Sequence, residues 1–426
     1  MWYRNTMNRI EKLHYFKRQF GGLLVEALKN HSVVYLSGSR NAGKTMLARE
    51  ICQGDYVSFN SPLLLAAALT VPGSFFKSLS ENELTIVDEA HFDAGLFKCI
   101  EDSLGNNNDR SGQTPERRFL LIGSMSLPML FGNRAFPESH VTELTLLPFY
   151  AAERRGVGTN FLRRLLIGKM TPRTFDTIQL ADEIENATFP ELALNHEINR
   201  EQWFDGFLST VLQRDIQTAA GIRNSERIVP LLISLATRVG SLINDASIIK
   251  ETGLDAKTYA KYKAAAMHTF LTFEMEPWGG ADQMKKRYVK QSKIYFTDTN
   301  LLCYVMRRNL REVLVNDPPT AARLFENFVA TEIIKQAVFI GGTRIRHFSL
   351  SGGKAVNFLI EAENGRAVGI DVSFKSTISD RDFGNLRVMR TALGKNFNRG
   401  ILIYAGTELS AFSDDFWAVP VNALWE

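Results

Sequence analysis

The sequence predicts an α/β chain in three parts: a parallel sheet covered on both faces, a helical region, and a smaller α/β unit. Three observations predict it. Up to about residue 147, short apolar runs alternate with helical stretches, as strands buried on both faces do. From about 160 to 310, apolar residues recur at three- and four-residue spacing. From about 321, one long helix precedes a series of short strand-like runs. The expected divisions are 1–155, 156–318 and 319–426. A chain of 426 residues with 45% hydrophobic and 23% charged side chains has the size and core for this, and it is neither a disordered chain nor a disulfide scaffold.

The elements follow in order. VVYLS at 33–37, YVSF at 56–59, LTIV at 84–87 and FLLI at 119–122 are the expected strands of the parallel sheet. The polar loop 105–118 precedes the fourth. FLSTVLQRDIQTAAG and RIVPLLISLATRVGSLI supply helices of the second part. In the third part, LFENFVATEIIKQAVF reads as a helix and RIRHFSL, AVNFLIEA, AVGIDVSF and GILIYAG as strands. No repeat interrupts this order. The longest apolar run, 63–71, is too short to span a bilayer, and the first twenty residues hold no apolar signal stretch. Cys52, Cys99 and Cys303 form no CxxC pair, as suits a reducing compartment. A soluble cytoplasmic protein without membrane contact is expected.

The chemistry begins at Gly38-Ser39-Arg40-Asn41-Ala42-Gly43-Lys44-Thr45, which fits GxxxxGK(S/T) between a strand and a helix. Glycines let such a loop fold into a nest of N–H groups around phosphate oxygens, and the helix N-terminus adds partial positive charge. Lys44 is expected at the β- and γ-phosphates, Thr45 on Mg²⁺, and Met46 beside the nucleotide. The strand at 84–87 then runs into Asp88 and Glu89. Asp88 suits Mg²⁺ through water, and Glu89 suits a general base for the attacking water. About forty residues separate the two motifs. That leaves room for one more strand and helix, as in the additional-strand, catalytic-glutamate class of P-loop ATPases. Ser124, after the fourth strand, is either a γ-phosphate sensor or a turn cap. His91 either relays nucleotide state or packs. Arg134 is the candidate arginine finger, with Arg154, Arg155 and Arg214 as competitors; each also suits an ordinary ion pair.

A second signal is charge. The chain carries a formal net of only +4. Residues 256–293 alone hold eight basic and three acidic side chains, a local net of +5. A short helix at 246–255 turns at Gly253 into a second helix at 257–269, then a strand, a Gly279-Gly280 tip and a basic return. That order is a helix-turn-helix with a wing. Lys257, Lys261, Lys263, Lys285, Lys286 and Arg287 are the candidate nucleic-acid contacts, with Tyr259, Tyr262, Trp278 and Tyr288 interleaved. A packing or oligomer module is the alternative.

These segments together resemble prokaryotic ATPases in which an AAA-type domain is fused to a DUF4143 region. The resemblance runs through YLSGSRNAGKTMLARE, LTIVDEAHF, RFLLIGS, LLPF at 146–149 with Glu153, FPEL at 189–192, Arg214-Asp215, SKIYFTDTNLL and LFENFVATEI. It implies ATP and Mg²⁺ as ligands, a winged-helix-like middle and a C-terminal domain related to PD-(D/E)xK nucleases. In that domain an acid is expected in the hairpin strand and an acid-x-Lys on the next. Here Asn357 replaces the first acid, Asp371 remains, and Ser373 replaces the lysine; Glu326 survives on the leading helix. Glu361 and Lys375 lie on the matching strand faces and offer a displaced substitute. The expected function is ATP hydrolysis that controls a nucleic-acid or protein partner, with homo-oligomers open. A slow-turnover ATP-switched scaffold is the second reading and an active Mg²⁺-dependent nuclease the third.

Overall fold

The computed structural model describes residues 16–425 except 80–82, 93–94, 98–99, 101–117, 132–140, 158–160, 168–169, 220–221, 223 and 280–288. The polar loop at 105–117, Cys99, Arg134, Gly280, Lys285, Lys286, Arg287 and Tyr288 lie outside the described residues.

The first sheet is parallel throughout. Its strands are β1 (Val33–Ser37), β2 (Asp55–Ser58), β3 (Leu84–Asp88), β4 (Arg118–Ile122) and β5 (Val141–Thr145), in the order β2-β3-β4-β1-β5. Every residue of β1 is buried, which is why its sequence shows no polar alternation. Two apolar clusters cover the sheet. Val33, Tyr35, Phe76 and Phe119 belong to one; Leu24, Val34, Leu47 and Leu120 belong to the other. The strand that the motif spacing leaves room for, β2, stands at the sheet edge, and β4 is the strand inserted between β1 and β3; the fold is that of a P-loop NTPase sheet.

A two-residue strand, β6 (Arg173–Thr174), precedes the helical region. Arg200–Thr210 runs directly into a π-helical stretch, Val211–Ala219. Ile228–Ala236, Asp245–Thr252 and Ala256–His268 come next. Asn244 and Asp255 cap the last two helices, and Gly253 turns between them at φ 64°. β7 (Thr272–Met275) and β8 (Lys293–Phe296) form an antiparallel pair on the far side of the expected wing tip.

The third part has Pro318–Ala337 packed on a seven-stranded mixed sheet. β6 joins it, with β9 (Arg344–Leu350), β10 (Lys354–Glu361), β11 (Ala367–Ser373), β12 (Phe397–Tyr404), β13 (Glu408–Ala411) and β14 (Phe416–Pro420). Their order is β6-β13-β14-β12-β11-β10-β9, with β11, β12 and β14 parallel. One apolar core joins this unit to the helical region, from Phe161 through Leu232 and Phe325 to Trp425. No described helix is long and apolar enough to cross a membrane.

Candidate functional site

β1 delivers the chain to Gly38, whose φ is +142°. An added Cβ there would stand 1.9 Å from the Leu146 carbonyl oxygen, so glycine alone lets the loop pass this strand end. Asn41 and Gly43 also have positive φ, 60° and 93°. Gly43 then starts helix Lys44–Ile51. Lys44 is buried. Its Nζ donates to the carbonyls of Gly38 and Ser39 at 2.9 and 2.8 Å and lies 3.4 Å from Ser124 Oγ. Burial lowers its ammonium to about 8, against the opposing pull of Glu89.

β3 places the acids opposite. Thr45 Oγ1 donates to Asp88 Oδ2 at 2.9 Å, and the Tyr56 hydroxyl donates to the same oxygen at 2.6 Å. The Glu89 N–H donates to Asp88 Oδ1 at 2.9 Å. Glu89 itself sits at φ 58°, a strained position for a glutamate. Its Oε1 is 3.4 Å from Arg40 Nη1 and its Oε2 is 3.3 Å from His91 Nδ1. Ser124 N–H donates to that same His91 nitrogen at 3.3 Å.

Nine of the residues expected at the nucleotide line one cavity of about 390 Å³: Arg40, Asn41, Gly43, Lys44, Thr45, Met46, Asp88, Glu89 and Ser124. Gly38, Ser39 and Ala42 do not reach it by side chain. Ser39 Oγ turns away and donates to the Phe270 carbonyl at 3.2 Å, while Ala42 is buried. The hydroxyl of Thr45 and the carboxylate of Asp88 are hard oxygen donors of the kind Mg²⁺ takes, so the donor set fits that ion.

The cavity has a second, apolar end that the sequence did not announce. Phe16, Phe149, Pro190 and Leu194 line it. The Phe16 and Phe149 rings lie 4.9 Å apart, and the Arg18 guanidinium stands 4.7 Å over Phe149. Arg18 also donates to Glu153 at 2.6 Å, to the Ala42 carbonyl at 2.6 Å and to the Leu147 carbonyl at 2.9 Å. The only signals for this end were LLPF and FPEL, segments that carried resemblance without a role. One end of the cavity is thus built for phosphate and a cation, the other for a flat apolar ring.

The competing arginines have other duties. Arg154 donates to the Ala193 carbonyl and faces the Phe16 ring. Arg155 pairs with Glu183, and Arg214 donates to Asn60.

The basic stretch is corrected in part. Lys257 and Lys261 are exposed, but Lys263 pairs with Glu274 at 2.7 Å and with Asp245 at 3.3 Å. Tyr259, Tyr262 and Trp278 are buried in apolar clusters, so none offers a ring to a base. Tyr259 and Tyr262 lie on the core-facing side of their helix, which helical spacing fills with aromatics as readily as a binding face.

Beside the C-terminal sheet, Lys293 Nζ of β8 lies 3.4 Å from Oε1 of Glu326 on helix Pro318–Ala337, which also accepts from the Tyr295 hydroxyl at 2.7 Å. Burial, with Glu326 adding to it, pushes the Asp371 carboxyl up to about 7, and Lys293 opposes this. Asn357 accepts from the Val372 N–H. The displaced substitutes are engaged elsewhere: Glu361 with Arg346 at 3.1 Å and Lys375 with Asp382 at 2.5 Å. Among the described residues, no cluster of three or more acids, histidines or cysteines suits a metal ion.

Comparison with known proteins adds three domain matches. An AAA domain covers residues 30–154, a domain of unknown function (DUF8612) covers 179–312, and a second (DUF4143) covers 321–424. Uncharacterized proteins of Mycobacterium bovis and Mycobacterium tuberculosis are each 26% identical over 412 residues, spanning 96% of this chain and 84% of theirs. Among solved structures, a signal-transduction ATPase with numerous domains and a tetratricopeptide repeat sensor from Pyrococcus horikoshii is 12% identical, with a TM-score of 0.27 over 75% of this chain and 49% of that one. A point mutant of RuvB from Thermotoga maritima is 18% identical, with a TM-score of 0.24 over 60% of this chain and 87% of that one.

Proposed function

We propose that this chain, which matches an AAA domain and a DUF4143 domain, binds and hydrolyses ATP. One observation carries the reading: a single cavity joins Lys44, Thr45, Asp88, Glu89 and Ser124 at a polar end to Phe16 and Phe149 at an apolar end. The triphosphate occupies the polar end. There Lys44 exchanges the Gly38 and Ser39 carbonyls for phosphate oxygens, which restores its full charge. Thr45 and Asp88 would hold Mg²⁺, which supplies charge neutralisation at the phosphates. Glu89 orients water for in-line attack and takes up its proton. Ser124, in reach of both Lys44 and His91, reads the γ-phosphate. The base lies between the aromatic rings and the Pro190–Leu194 helix.

ATP state then governs how the C-terminal half engages a nucleic-acid or protein partner. Lys257 and Lys261, both exposed, are the described candidates for such a contact. The nuclease reading gains no support, because an ammonium already pairs with Glu326 and burial favours the neutral form of Asp371. The slow-turnover scaffold has one observation behind it: the Arg40 guanidinium already faces Glu89 at 3.4 Å.

The test is direct. Lys44→Ala should abolish ATP binding, and unchanged affinity for labelled ATP would sink the assignment. Glu89→Gln should bind ATP and lose turnover by about 100-fold or more. Wild-type turnover no faster than Glu89→Gln would favour the scaffold. Rates taken with and without DNA or RNA at two salt concentrations then test the partner.

A further inference from the structure

A carboxylate of the helical region holds Arg40, a cavity-lining residue of the phosphate loop. Asp215 belongs to the π-helical stretch of the helical region, 175 residues along the chain from Arg40. It accepts from Arg40 Nε at 2.8 Å and from Arg40 Nη2 at 2.5 Å, a two-point fork. Its other neighbour is His91, with Nε2 3.6 Å away. The Asp215 side chain is 1% exposed. Burial works against its charge, yet the Arg40 fork, with His91 nearby, holds its carboxyl below the usual range.

The fork leaves one guanidinium nitrogen of Arg40 uncommitted to Asp215. That nitrogen, Nη1, faces Glu89 at 3.4 Å, and both residues line the cavity. A bidentate buried pair does not come apart cheaply, since either partner alone would be a buried, uncompensated charge. Arg40 therefore stays with Asp215 and can redirect only Nη1. Without nucleotide, Nη1 restrains Oε1 of Glu89. With a γ-phosphate in the cavity, the phosphate competes for Nη1 and leaves Glu89 to its water.

The helical region grips the same loop a second time. Ser39 Oγ donates to the carbonyl of Phe270, a residue held at φ 60° just after helix Ala256–His268. His268 Nδ1 lies 2.7 Å from Ser126 Oγ, two residues past Ser124. A π-helical turn is rare and is retained mostly where it aims a functional group.

We propose that Asp215 is a positioning residue for ATP hydrolysis, supplied to the AAA domain by the helical region, that aims Arg40 at the γ-phosphate and at Glu89. The proposal rests on the ATPase reading and names the element through which the helical region controls that site. Asp215→Asn keeps the shape and removes the charge-assisted fork. Its kcat for ATP should fall about 10- to 100-fold while KM changes by less than about threefold, because the loss falls on alignment in the transition state. Asp215→Glu should recover at least part of the lost kcat, which a merely structural role does not predict. Arg40→Met combined with Asp215→Leu replaces the buried pair by apolar side chains, a change that often leaves stability intact. That double variant should fold, bind ATP and stay slow, and it decides the matter if Asp215→Asn alone fails to fold. Asp215→Asn, or the folded double variant, turning over within twofold of wild type would overturn the proposal. Wild type no faster than Glu89→Gln would instead overturn the ATPase reading, and the proposal with it.

Discussion

Lys44 shows how a single side chain ties burial to chemistry. Sequence spacing identified it, but its surroundings set its charge. Two backbone carbonyls hold the ammonium, and burial lowers its pKa to about 8. The sign for ligand binding follows. Below pH 8 the empty site already carries the charge that phosphate needs. Above it the lysine is neutral in the empty site, so ATP binding must take up a proton, and affinity falls as pH rises. The Kd for ATP should be flat from pH 6.5 to 7.5 and rise by up to about tenfold per pH unit above 8. Equilibrium titration with a fluorescent ATP analogue measures this; a Kd unchanged at pH 9.5 would show that Lys44 keeps its proton. Arg18 is the opposite case. It binds Glu153, Ala42 and Leu147 and stands over Phe149, yet no motif marked it. A lone arginine in a polar stretch looks the same whether it is solvated or buried in a cavity wall.

At the scale of elements, the strands legible in the sequence are those that burial leaves no choice. β1, β3 and β4 are almost wholly buried, so their residues are apolar without interruption. β5 reads VTELT, is only half-buried at the edge of its sheet, and went unnoticed for that reason. β13 is short and half exposed, and β6 has two exposed residues, so neither offers a pattern long enough to read. The basic helix is ambiguous for a different reason. Tyrosines at 259 and 262 mark its buried side, and amphipathic spacing cannot say whether aromatics face a core or a ligand. The phosphate loop was legible because its glycines have backbone reasons to be there. Gly38→Ala would set a Cβ 1.9 Å from the Leu146 oxygen at a φ of +142°, which no side-chain movement relieves. The loop must shift, and with it the Gly38 carbonyl that holds Lys44. ATP affinity should fall at least about tenfold while the far C-terminal sheet keeps its fold. An alanine variant that binds ATP like wild type would mean that the loop tolerates displacement.

At the scale of the whole molecule, the first two parts line the cavity. The AAA domain supplies the phosphate end, and the Pro190–Leu194 helix closes the apolar end. The C-terminal unit braces that end from behind. Lys335 Nζ donates to the Phe149 carbonyl at 3.0 Å, and Glu332 accepts from the Ala151 N–H at 2.9 Å. Both belong to Pro318–Ala337, the helix that leads the DUF4143 match. Burial pushes the Glu332 carboxyl up and the Lys335 ammonium down. The sequence could not show this convergence, because the residues that make it lie more than 180 positions apart. The charge count also changes meaning. Two cations of the +5 block, Lys263 and Lys293, serve ion pairs inside the fold. The same geometry makes one prediction about coupling. On the proposed reading ATP would fill a cavity whose walls come from the first two parts, so it should slow backbone opening in both. Hydrogen exchange with and without ATP and Mg²⁺ measures this. Protection should rise at residues 38–51 and also at 190–194, 211–219 and 268–271, where Asp215 and Phe270 hold the loop. Protection confined to 38–51 would mean that the helical region closes the cavity without responding to what it contains.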